Sequence, residues 1–208
     1  MSDTKERILL TALSLFAKDG YEAVSASDIA GELGMTKGAL YRHFKSKRDI
    51  FDSIVERMYE IDAKRSKEHI VPAEIYENDP KAYGDISTES VKTFTLAQFE
   101  FWTEDGFASD FRRMLTLEQY RSDEMAELYG SCIAEGPVSY MRDIFREMTA
   151  RGILREADPK LLAAEYYAPF FLLLSIADRG DKAACARLLS EHIEGFFNTY
   201  EKHDETLL

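Results

Sequence analysis

The chain has 208 residues, 45% of them apolar and 31% charged, with a formal net charge of -12. That balance excludes a disordered or membrane-embedded chain and allows either one sizeable core or a small module joined to a larger one. The acidity is uneven, because residues 1–50 hold 8 basic and 7 acidic side chains while residues 51–208 hold 18 and 31. A nearly neutral head therefore precedes a strongly acidic body.

The N-terminus MSDTKERILL lacks the basic start, apolar run and cleavage site of a secretory signal. The longest apolar run, Ala168–Ala177, has ten residues, about half of what a membrane span requires. A cytoplasmic protein with no membrane contact is expected. Cys132 and Cys185 lie far apart without CxxC spacing or a His cluster. Two buried thiols are expected, with no disulfide, metal or cofactor.

Helical periodicity dominates and no segment alternates like a strand. Ile8, Leu9, Ala12, Leu13 and Phe16 form the stripe of a first helix that stops at Gly20. Ser25 followed by Asp28 starts a short second helix, with Ile29, Ala30 and Leu33 turned inward and Gly34 closing it. Thr36 caps a third helix containing Leu40 and Phe44. So tight a turn between short helices predicts helix-turn-helix. A fourth helix begins after Ser46 and runs through Ile50, Ile54, Met58 and Ile61. Residues 69–87, with Pro72, Pro80 and Gly84, read as a long connection, either a lid or disordered. Further helices are predicted over 88–104, 108–131, 137–151, 159–178 and 182–202, with Pro137 in a first turn and Gly152 as a stop.

The stretch GMTKGALYRHFKSKR carries Lys37, Arg42, Lys45, Lys47 and Arg48 and no acid. With Leu40 and Phe44 inward and about 100° per residue, Gly38, Ala39 and Arg42 fall on the opposite face, flanked by Tyr41 and His43. Such a face suits the major groove. Gly38 and Ala39 allow close approach, Lys37 or Arg42 can donate to guanine, and Lys45 and Lys47 can meet phosphates. Taken singly, each residue also fits an ordinary solvated surface.

The run SASDIAGELGMTKGALYRHFKSKRDIF, with its Ile-Ala pair, Gly turn, LYxHF core and following SK, resembles the DNA-binding head of the TetR family of transcriptional regulators. The resemblance implies an all-α fold, with a three-helix head at 1–46 joined to a larger effector-binding and dimerisation body at 47–208. It implies a homodimer acting as a repressor on a near-palindromic operator in double-stranded DNA, released by a small-molecule inducer. Carried over by position, Ser25 and Thr36 lie at helix starts near phosphates, Lys37, Gly38 and Ala39 at bases, Tyr41 and His43 at the backbone, and Lys47 at a phosphate. Ser27 is a lesser candidate. Val24 replaces the first hydroxyl of the family's usual pair and Ala26 is too short to reach far, so the second helix is expected to contribute fewer contacts here.

The helix through Leu161–Ala177 is apolar nearly all round, and Leu189, Ile193, Phe196, Phe197 and Tyr200 form a stripe on the last helix. These stripes either pair with their copies in a dimer or are buried within one subunit. The resemblance favours a four-helix interface containing Leu161, Phe170, Leu173, Leu189, Ile193, Phe196 and Phe197. Pro169 is expected to kink its helix. The many aromatics of the body are core packing or a ligand box, and the candidates for an inducer site are Phe94, Phe101, Trp102, Tyr166 and Tyr167. Glu100 or Glu165 either selects a cationic ligand or is solvated.

Catalysis has little to stand on. No HExxH, GxSxG or Gly-rich phosphate loop occurs, and His43, His69, His192 and His203 are dispersed. A helical interaction protein that keeps the head without operator binding is the other reading.

Overall fold

A computed structural model describes residues 3–68 and 86–202. Ten α-helices and no strand occur among the described residues: α1 (Asp3–Asp19), α2 (Ala26–Glu32), α3 (Lys37–Leu40), α4 (Lys47–Glu68), α5 (Thr88–Glu104), α6 (Gly106–Glu118), α7 (Asp123–Ile133), α8 (Glu135–Ala150), α9 (Pro159–Ala177) and α10 (Lys182–Tyr200). The all-α class stands. The connection expected over 69–87 lies outside the described residues except for Ile86 and Ser87, and so do His69 and His203.

One boundary expectation is corrected. The single helix predicted over 108–131 is two, interrupted at Gln119–Ser122. Ser122 Oγ accepts from the Met125 amide at 3.3 Å, and Asp123 and Glu124 put acids at the positive end of α7. This start signal stands in the sequence as SDEM, hidden inside a run whose apolar residues continue in helical spacing.

Packing divides the chain into two units, the first comprising residues to Lys64 with Glu104–Tyr129, the second Arg65–Thr103 with Gly130 onward. In the first, the stripe Ile8, Leu9, Ala12, Leu13 and Phe16 is buried as expected, together with Ile29, Ala30, Leu40, Phe44, Ile50, Ile54 and Met58. α6 packs against α1 and adds Phe107, Ala108, Phe111, Met114 and Leu115 to the buried set. α1 to α3 thus share a unit with α6, which the sequence reading had placed in the body.

In the second unit α9 packs between α8 and α10. Its centre is a cluster of rings in which Phe145 and Tyr166 lie 5.2 Å apart, Tyr166 and Phe196 4.9 Å, and Phe145 and Phe196 5.2 Å. Thr95 Oγ1 donates to the Val91 carbonyl and therefore accepts from the Tyr166 hydroxyl at 2.8 Å. Burial pushes the Tyr166 phenol far above its ordinary pKa. The Leu154–Glu201 bridge, flanked by the Arg155 amide donating to the Tyr200 carbonyl at 2.7 Å, fixes the end of α10 to the turn after α8.

Two expectations about α9 and α10 change. α9 is long and apolar enough to cross a membrane by length and composition, which the ten-residue run had argued against. Its Leu162, Ala163, Tyr166, Phe170, Leu173 and Leu174 are nevertheless buried in the second core, as in a central helix of a water-soluble fold. Of the residues expected at a subunit interface, Phe170, Leu173, Leu189, Ile193, Phe196 and Phe197 are buried in that same core, and only Leu161 is exposed, at 69%. Neither cysteine forms a disulfide; Cys185 is buried and Cys132 only half-buried.

Phe145 has no exposed surface and touches three other rings. Phe145→Ala should cost about 3–5 kcal/mol, read from urea unfolding at one fixed protein concentration.

Candidate nucleic-acid interface

α2 has too few residues to be stable by propensity, so its ends are fastened by side chains and a turn. Ser25 Oγ accepts from the Asp28 amide at 3.2 Å, and Asp28 Oδ2 accepts from the Ser25 amide at 2.7 Å. Hydrogen bonds from the Ser25 side chain and then its backbone hold the Asp28 carboxyl below its usual range. At the other end Gly34 adopts φ +65°, a conformation that strains any residue with a Cβ. Its amide donates to the Gly31 carbonyl at 3.0 Å and the Met35 amide to the Ala30 carbonyl at 2.9 Å, the paired bonds of a Schellman end.

The chain then reverses into α3, where Thr36 Oγ1 accepts from the Ala39 amide at 3.1 Å. α3 is shorter than expected, with only Lys37–Leu40 in α conformation. The Arg42 and His43 amides bond three residues back, to Ala39 and Leu40 at 3.2 and 2.9 Å, so the last turn is wound tighter. The facing survives this change. Leu40 and Phe44 are buried, while Lys37, Gly38, Tyr41 and Arg42 are exposed and Ala39 and His43 half-buried.

Most of the expected contact residues share this surface or flank it. Ser25, Ser27, Thr36 and Lys45 are exposed. Lys37 Nζ lies 5.8 Å from the centre of the Tyr41 ring, which keeps the two side chains side by side. A Cβ added at Gly38 would meet only Thr36 Oγ1, at 4.0 Å, so the surface there is open. Val24 and Ala26 are buried.

Two cations of the stretch have internal partners that the sequence did not signal. Lys47 Nζ donates to the Tyr21 carbonyl at 2.8 Å and stands 4.1 Å over the Tyr21 ring. Arg48 Nε donates to Asp52 at 2.6 Å, and its two terminal nitrogens grip the Glu124 carboxylate, one at 2.9 Å. That bidentate grip holds Glu124 below its ordinary pKa and raises that of Arg48. Arg48 is thus an internal brace between α4 and α7. Only the spacing to Asp52 is local enough to have been read; Glu124 is 76 residues away.

The aromatic candidates for an inducer site lie in the second unit, each with its own partners. Phe94 pairs with Tyr140 at 5.8 Å and Phe101 with Trp102 at 5.3 Å. The Arg65 guanidinium covers the Phe101 ring at 4.0 Å while donating to the Ala97 carbonyl and Gln98 Oε1 at 3.1 Å. Tyr166 belongs to the ring cluster. The Tyr167 hydroxyl donates to the Ile133 carbonyl at 2.6 Å, closing the end of α7, and its ring stacks on Phe170. Glu100 is exposed, and exposed Glu165 accepts from the Tyr200 hydroxyl at 2.8 Å.

Two short capped helices around a tight turn, the second showing an exposed face without acids, define a helix-turn-helix of the kind that lies in a DNA groove. Residues 8–54 match the model of the bacterial regulatory proteins of the tetR family. The uncharacterized HTH-type transcriptional regulator YerO of Bacillus subtilis is 38% identical over 100 residues, 48% of this chain and 32% of that protein. The HTH-type transcriptional regulator AcrR of Shigella flexneri is 44% identical over 54 residues, 26% of this chain and 25% of that protein. The matches thus span a quarter to a third of these relatives' lengths. Among solved structures, SmeT, the repressor of a Stenotrophomonas maltophilia multidrug efflux pump, superposes with a TM-score of 0.64 at 24% identity, covering 100% of this chain and 94% of its own. SmeT has also been solved as a complex with triclosan. At that identity the likeness establishes the fold.

Glu124 has a pKa lowered from 4.5 by Arg48, so the pair stabilises the fold above that pH and the contribution fades as pH falls through the depressed value. Glu124→Gln should therefore melt below the wild type at pH 7, with the gap narrowing as pH falls below 4.5. A gap unchanged with pH would show that the pair adds no stability.

Proposed function

We propose that the protein is a dimeric, ligand-responsive repressor that binds a near-palindromic operator in the cytoplasm. Residues 1–46 carry the DNA-binding role and residues 47–208 the effector and dimer roles. The observation that carries this reading is the single exposed face of Lys37, Gly38, Tyr41 and Arg42 opposite the buried Leu40 and Phe44. Lys37 and Arg42 can donate to guanine edges, the Ala39 methyl can touch thymine, and Tyr41, His43, Lys45 and the hydroxyls of Ser25, Ser27 and Thr36 can bind backbone phosphates. Lys47 can join them with the hydrogens that the Tyr21 carbonyl does not use.

The dimer is supported by another stripe than the one read from the sequence. Leu161, Ala168, Leu172 and Ile176 recur on one exposed face of α9, with Phe171 beside them, and Leu188 is exposed on α10. Leu161, Leu172 and Leu188 are 69%, 59% and 54% exposed. So much apolar surface on two adjoining helices suits an isologous interface with a second copy. Dimerisation would present two heads to half-sites about 34 Å, one helical turn, apart.

The effector is a small molecule held in the second unit, by analogy with SmeT and its triclosan. Phe94, Phe101, Trp102, Tyr166 and Tyr167 are its aromatic candidates, and the half-buried Phe94, Trp102 and Tyr167 have surface left to offer. A ligand that prefers the conformation with badly spaced heads weakens operator binding by that same preference, about 1–3 kcal/mol in ordinary coupling.

Duplexes selected from a random pool test the DNA reading. Arg42→Ala should weaken binding by about 1–3 kcal/mol if it reads a base, whereas a lost phosphate contact lowers the salt slope by about 0.9 per subunit. Binding that ignores both the substitution and salt would refute the contact face. Leu172→Glu should convert the dimer to monomers in sedimentation, leaving the helical spectrum intact; a dimer that persists places the interface elsewhere.

A further inference from the structure

Glu118 is buried to 2% exposure at the last position of α6, and none of the roles proposed above uses it. A carboxylate is costly to bury and an apolar residue in its place is often no less stable, so its partner is informative. That partner is the backbone of Tyr21, whose amide donates to Glu118 Oε1 at 2.9 Å across 97 residues of sequence.

The local geometry explains why this amide is available. α1 ends at Gly20, which has φ +86° and donates its amide to the Phe16 carbonyl at 3.0 Å. At the end of α2 the following amide also turns back onto its helix; at Tyr21 it is given to Glu118 instead. The Tyr21 carbonyl accepts from Lys47 Nζ at 2.8 Å. Both polar backbone groups of one residue are therefore held by side chains of opposite charge, from α6 on one side and α4 on the other. The Tyr21 ring is fixed as well, edge-on to Phe16 and Phe51 at 5.1 Å each. Closeness is part of the design, since a Cβ on Gly20 would come within 2.8 Å of Glu118 Oε1.

We propose that Glu118 is a positioning residue for DNA recognition: from α6 it holds the α1–α2 turn against Lys47, and so sets the attitude of the reading helices. The role rests on the operator-binding reading above. Tyr21 lies four residues before Ser25, where α2 is capped. A shift of this turn is passed through the Gly34 turn to the face of Lys37 and Arg42. α6 thereby holds the α1–α2 turn through a side-chain hydrogen bond as well as through its packing against α1.

The test uses the full-length protein, a duplex that the wild type selects from a random pool, an unselected duplex, and hydrogen exchange at the Tyr21 amide. Glu118→Ala should expose that amide while the Ile54 amide stays protected. Affinity for the selected duplex should fall about tenfold, and affinity for the unselected duplex by less than about twofold. Glu118→Gln keeps an accepting oxygen and should restore both. If Glu118→Ala does not fold, Glu118→Asp, which retains the charge but is too short, should reproduce the loss of selectivity. Protection at Tyr21 unchanged in the alanine variant, selectivity retained by the aspartate variant, or a glutamine variant as poor as alanine would each overturn the role of Glu118. A wild type that selects no duplex at all would instead overturn operator binding, and Tyr21 exchange would still report the clamp.

Discussion

A helix of four residues has no stability of its own, because nucleation fixes several backbone angles before hydrogen bonds return anything. α3 and the tighter turn after it nevertheless carry every residue proposed to read bases, so the proposed recognition rests on the external restraints on them. The Thr36 hydroxyl satisfies one of the first amides of α3, Gly34 delivers the chain to it, and Leu40 and Phe44 anchor its inner side. What remains facing outward is what those three restraints leave over. The proposed recognition depends on capping and anchoring rather than on the strength of a long helix.

The restraints continue outward in layers. Ser25 and Asp28 close the start of α2, Lys47 and Glu118 grip Tyr21 between α1 and α2, and Arg48 ties α4 to α7 through Glu124. Each tie joins polar groups that water would otherwise compete for, and each fixes a direction as well as a distance. This explains the packing of the first unit, in which α6 and the start of α7 accompany the helices of the head. A head built from residues 1–46 alone would lack α6, and with it the cover that Phe111 and Met114 add to the buried set.

Much of this was legible from the chain alone. Caps, turn glycines and apolar stripes are local signals, and they placed α1 to α4, α5 and α8 to α10 within a few residues. The inward pair Leu40 and Phe44 and the outward Gly38 and Arg42 followed from helical geometry, which also put Ala39 outward although it is half-buried. Distant pairings were invisible. Nothing around Glu118 says that its partner is Tyr21, and nothing around Arg48 points to Glu124. The interface stripe was ambiguous for a related reason: periodicity reports that Phe170, Leu173 and Ile193 want cover, but not which surface supplies it. Their own subunit does, leaving the face of Leu161 and Leu172 bare.

Gly38 carries a last consequence. Nothing within the fold closes on it, the nearest atom to an added Cβ being the Thr36 hydroxyl at 4.0 Å. Any residue compatible with a helix would be accommodated there without disturbing the core, and most would favour the helix over glycine. The only body able to object is one pressed against the outside. Under the proposed DNA reading, position 38 can therefore drift in evolution as a clearance gauge, retuning which duplexes fit while the folded scaffold stays indifferent to the change.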